Sequence, residues 1–141
     1  MEYADETRGE FQYIDRAKQV ISYSGMTFGR ISPTDIDAMI EYRGKAFVFF
    51  EVKHENAAVP QGQLLALTRM ADALTEAGKQ AIVIVCEHHV QDTSKPVLLK
   101  YANVRQYYYN GRWYPNYGSF DRKDVYTTVS RFLETAGGSR P

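Results

Sequence analysis

On either side of Arg43-Gly44-Lys45, apolar residues recur at every second position. Upstream these are Ile36, Ala38, Ile40 and Tyr42; downstream they are Ala46, Val48, Phe50 and Val52. A period of two belongs to a strand, so residues 33–53 predict two antiparallel strands around a tight turn at Gly44. With Gly44 at its centre, Asp37 falls opposite Glu51 and Asp35 opposite Lys53, and all four share the odd-numbered face. Met39, Phe47 and Phe49 lie on that face too. Both faces therefore read as covered, as they would be in a central strand. Carboxylates and a lysine at one end of such a pair are costly to desolvate unless they pair or bind a metal.

Elsewhere the period lengthens. Residues 5–24 have helical spacing, with Tyr13, Ile14, Ala17, Val20 and Ile21 on one face and Glu10 near its start. Gly25 closes that helix, and Met26 to Ile31 predicts a short strand. After the loop 54–60, residues 61–77 predict a helix with Leu67, Met70 and Leu74 on one stripe. Gln63 lies one turn before Leu67, placed either to aim toward the acidic end of the strand pair or to bond the backbone at the helix end. Residues 81–86, AIVIVC, form an uninterrupted apolar run, the mark of a buried parallel strand, so helix 61–77 is a β-α-β crossover. Glu87, His88 and His89 beyond it read as loop; adjacent histidines on a strand would face opposite ways and make a poor metal pair. From Val104, VRQYYYNGRWYPN is a hairpin turning at Asn110-Gly111. Asp121 is the expected cap of a last helix, residues 122–135.

Composition narrows this picture without redirecting it. A chain of 141 residues with 44% hydrophobic content predicts one α/β domain, with a core at about 6–90 and a C-terminal hairpin and helix at about 101–136. No run approaches a transmembrane length and the N-terminus lacks export features, so no membrane partner and a cytoplasmic location are expected. The single cysteine, Cys86, excludes an internal disulfide and reads as a buried structural thiol. Net charge is zero but unevenly spread: residues 1–94 hold nine Lys+Arg against fourteen Asp+Glu, and residues 95–141 hold eight against three. The basic C-terminal third suits a phosphate-binding surface or an attraction between the two parts of the chain. Arg105 and Arg112, set among the tyrosines and Trp113 of the hairpin, are candidate nucleic-acid contacts; the same aromatics suit packing or a dimer interface.

An aspartate, about a dozen residues around a turn, then Glu51-Val52-Lys53 on an apolar strand resembles the PD-(D/E)xK nuclease superfamily. The similarity covers roughly residues 10–86 and is greatest to small Holliday-junction-resolvase-type or phage-type nucleases. It implies a restriction-endonuclease-like mixed sheet flanked by helices, and it maps a first-helix glutamate onto Glu10 and a crossover-helix glutamine onto Gln63. The chemistry has its own logic. Phosphodiester hydrolysis needs a nucleophilic water, charge stabilisation on the phosphate and help for the leaving oxygen. Asp37, Glu51 and the Val52 carbonyl offer hard oxygen ligands for Mg²⁺ or Mn²⁺, with Asp35 behind Asp37 or in its place. Lys53 would orient the water or stabilise developing charge, Gln63 would bond water or phosphate, and Glu10 would complete an outer shell.

The expected function is a divalent-metal-dependent endonuclease on branched or duplex DNA, structure-specific and junction-resolvase-like, acting as a homodimer. One alternative is a restriction-like or end-processing nuclease of a mobile element. Another is a non-catalytic nucleic-acid-binding or inhibitory protein with the same fold.

Overall fold

A computed structural model describes residues 19–115 and 124–137. The chain divides at Pro33–Thr34 into two units.

In the first unit, the described segment is neither the end of a helix nor a strand. Gln19 to Tyr23 is irregular, with Val20 and Ile21 exposed rather than turned inward. The Ser24 N–H donates to the Ser22 hydroxyl at 3.2 Å, and the Met26 N–H to the Tyr23 carbonyl at 2.9 Å. Serines that bond nearby backbone compete with helical bonding, which is why the periodic pattern does not propagate here. In place of a strand at Met26–Ile31 there is a single antiparallel bridge, Phe28 to Ile31, turning through Gly29 at φ +65°.

The second unit is α/β. Its elements are β1 (Ala38–Tyr42), β2 (Ala46–His54), α1 (Gln61–Glu76), β3 (Gln80–His88), β4 (Asn103–Tyr109), β5 (Arg112–Pro115) and α2 (Val125–Gly137), with a 3-10 turn at Leu99–Tyr101. The sheet has five strands in the order β1-β2-β3-β4-β5, and β2 and β3 alone run parallel. Ala38 pairs with Phe50 and Tyr42 with Ala46, the register expected from Gly44. Arg43 and Gly44 take φ of +51° and +66° within the three-residue connection Arg43-Gly44-Lys45, where the Lys45 N–H donates to the Tyr42 carbonyl at 2.8 Å.

Alternation then sorts the strands' side chains onto two faces. Even-numbered Ala46, Val48, Phe50, Ile82, Ile84 and Cys86 pack with Val125, Val129 and Phe132 of α2. Odd-numbered Phe49, Ala81 and Val83 pack with Leu67 and Ala71 of α1. β1 is an edge strand, not a central one, so Met39 is 49% exposed while its partner Phe49 is buried. On α1 the inward stripe is Leu64, Leu67 and Ala71; Met70 points to solvent. β3 also continues past the apolar run, through Glu87 to His88.

The hairpin turns at Asn110-Gly111, φ +49° and +81°. The last helix begins at Val125, and its cap among the described residues is Asp124, whose carboxylate accepts the Thr127 N–H at 2.7 Å. Asp121 lies outside the described residues. No helix among the described residues is long and apolar enough to cross a membrane.

Candidate functional site

Crossover α1 runs back along the face that carries Phe49, so its first turn lies at the end of the sheet where β2 finishes. Continuing the β2 alternation from Phe49 brings Glu51 and then Lys53 to that face. Glu51 is 1% exposed. Its Oε1 lies 3.2 Å from Lys53 Nζ, and its Oε2 is buried without a hydrogen-bond partner. Burial pushes the Glu51 carboxyl above its usual range, and the negative charges of Asp37 and Asp35 push it further. The hydrogen bond and charge of Lys53 pull the other way.

Asp37 sits one residue before β1, where the register continued from Ala38 and Phe50 meets Glu51. Its side chain is exposed, and Oδ2 accepts the Val52 N–H at 2.7 Å, taking the place of the next backbone rung. Asp35 is exposed as well, two residues further out. Gln63, one turn before Leu67 on the buried stripe of α1, holds its Oε1 out of solvent and without a partner. The structure thus gathers Glu51, Lys53, Asp37 and Asp35 into one electrostatic group, with Gln63 in the helical turn that borders it. Glu10 lies outside the described residues.

The longer β3 adds residues that the pattern assigned to a loop. Lys53 pairs with Glu87 across the parallel register, and Glu87 is 2% exposed. Its Oε1 is 3.6 Å from Arg105 Nε and its Oε2 is 3.5 Å from His89 Nε2. Extending the period of two beyond Cys86 places Glu87 and His89 on the Glu51 face; that was the available signal. Arg105 gave none. It is the extra residue of a β4 bulge, between Val104 opposite Cys86 and Gln106 opposite Val85. Bulges re-aim side chains. Here the half-buried guanidinium lies over the loop after β2 and donates to the carbonyls of Ala57 at 2.9 Å and Glu55 at 2.6 Å. Arg112, by contrast, is exposed, its guanidinium 5.5 Å from the centre of the Tyr114 ring.

Among the described residues no three His, Cys, Asp or Glu side chains converge to hold a metal ion by themselves. The donor types present would suit a magnesium-like ion. Two buried oxygen acceptors, Glu51 Oε2 and Gln63 Oε1, have no donor, and a cation or its water supplies what such atoms need. Mg²⁺ ordinarily keeps several waters and takes only one or two protein carboxylates plus substrate phosphate.

Compared with known proteins, the chain matches no family profile, no curated protein and no solved structure.

Proposed function

We propose that the C-terminal end of β2 is the active site of a divalent-metal-dependent endonuclease that hydrolyses DNA phosphodiesters, on a restriction-endonuclease-like core. One observation carries this reading. Glu51 is a fully buried carboxylate at the end of an apolar strand, with one oxygen on Lys53 and the other without a partner. A buried, half-satisfied carboxylate costs stability and persists where function uses it.

In this site Glu51 and Asp37 would hold the ion, with the Val52 carbonyl and Gln63 Oε1 as further oxygen donors and Asp35 outside them. When bound, a divalent ion lowers the pKa of water and neutralises phosphate charge. Lys53 shares the Glu51 face and is 22% exposed, so its ammonium reaches solvent while it stays paired. There it orients the attacking water and stabilises charge as the P–O bond breaks. The Val52 N–H, held by Asp37, fixes that carboxylate at the edge of the sheet. The excess of basic residues after position 94 supports a polyanionic substrate.

The test is cleavage of a labelled four-way DNA junction beside matched linear duplex, with Mg²⁺ or Mn²⁺ and with EDTA, for the wild type and Glu51→Ala. Metal-dependent cutting lost in the variant supports the site, and preference for the junction supports the resolvase-like reading. Equal cutting of linear duplex favours the restriction-like or end-processing reading, and no cutting of either DNA removes the DNA-nuclease reading in favour of an RNA substrate or a binding role.

A further inference from the structure

The loop from Glu55 to Pro60 joins Glu51-Val52-Lys53 on β2 to Gln63 on α1, so its conformation sets how those two parts of the site face each other. That conformation is strained. Glu55 takes φ +50°, a left-handed backbone that a glutamate seldom adopts. Such strain persists only where the surroundings over-determine it, and Glu55 is held from several sides. Its N–H donates to the His88 carbonyl at 2.8 Å, its carboxylate accepts from the Gln91 amide, and its carbonyl accepts from Arg105.

Arg105 is the group that ties the three strands' ends together. From its bulge on β4 it reaches Glu55 and Ala57 with separate nitrogens, while its Nε stays beside buried Glu87 of β3. A guanidinium does this with a rigid fork of donors; a lysine ammonium is a single point of charge. Buried Glu87, adjacent in register to Lys53, gives that guanidinium a fixed counter-charge.

We propose that Arg105 is a positioning residue: braced on Glu87, it clamps the strained 55–57 backbone and so sets Gln63 relative to Glu51 and Lys53. Its catalytic consequence rests on the nuclease reading; the clamp itself does not. The assignment also separates Arg105 from Arg112. Arg105 is engaged by the Glu55 and Ala57 carbonyls and by Glu87, and acts through the loop rather than as a phosphate contact.

Two variants, Arg105→Lys and Arg105→Ala, test this in the full-length chain, the lysine keeping a cation beside Glu87 so that a folded variant is at hand. Amide hydrogen exchange across residues 55–63 is expected to quicken in both, with the β2 and β3 amides unchanged. In cleavage assays kcat is expected to fall roughly 10²-fold, the scale of an ångström-sized misplacement, with KM for DNA within about twofold and an unchanged dependence on salt. Unchanged exchange in the loop overturns the clamp. Raised KM and a shallower salt slope with intact kcat overturn it also, by making Arg105 a phosphate contact. Quickened exchange in a protein whose wild type cuts no DNA upholds the clamp and fails only the nuclease reading.

Discussion

Glu51 and Cys86 show what burial does to a single group. Glu51 is a carboxyl pushed above its ordinary value, first by desolvation and then by Asp37 and Asp35. Its folded state therefore binds a proton more tightly than its unfolded state. Stability associated with Glu51 falls as pH rises from the unfolded value of about 4.5 through the raised folded one. Glu51→Gln should consequently raise Tm at pH 7, flatten this part of the pH–Tm curve, and abolish metal-dependent cleavage. Thermal melts from pH 4 to 8 measure the first two, and a fall in Tm at neutral pH would contradict the account. Cys86 lies beneath the same end of the sheet, where burial above all, and then the Asp37 and Glu51 charges, push its thiol up to about 12. A thiol without thiolate character is inert, so native protein should resist a thiol-labelling reagent that reacts at once in denaturant.

At the scale of the element, the sheet is held by alternation and the helices by their inward stripes. Leu67 of α1 is 1% exposed and packs with Phe49 and Val83. Leu67→Ala should cost about 2–5 kcal/mol in urea unfolding, because the rigid sheet beneath cannot close the cavity. Capping decides where α2 starts. The backbone N–H of Thr127 holds the Asp124 carboxyl below its ordinary value. Asp124 thus contributes stability above the unfolded value near 3.8, and that contribution is lost as pH falls through the lowered folded value. Asp124→Ala should cost about 1 kcal/mol at pH 7. The same substitution measured well below pH 3.8 should cost less.

For the whole molecule, the consequence of one parallel pair inside a mixed sheet is geometric. A parallel connection needs a crossover, and the crossover helix returns its first turn to the strand end that carries Glu51 and Lys53. Buried oxygens collect there because the strands run out of apolar positions just where the helix begins. A ligand that binds only the folded state stabilises it, by about 2.7 kcal/mol at a hundredfold excess over Kd. Adding Mg²⁺ should therefore raise Tm of the wild type and leave Glu51→Ala unmoved, and EDTA should reverse the rise. Equal shifts in both proteins would place any bound ion elsewhere.

Much of this was legible in the residues alone. The hairpin register about Gly44, the parallel strand at 81–86, the Asn110-Gly111 turn and the gathering of Asp37, Glu51 and Lys53 all follow from a period of two and a few turn residues. Local rules suffice there because a strand's alternation is set by its own backbone. Other features depended on partners far along the chain. Whether β1 is central or at an edge depends on what lies beside it, and among the described residues no further strand does, so Met39 is exposed. Glu87 reads as loop until β4 and Arg105 supply a neighbour for a charged residue to extend β3. The placement of Arg105 over the loop after β2 arises from a bulge, an irregularity in pairing that no single strand encodes. By itself the sequence determined the periodicities, the turns and the chemical identity of the candidate site. Tertiary structure decided which oxygens are buried without partners and which arginine holds the loop after β2, because desolvation and long-range hydrogen bonds exist only once distant strands are brought together.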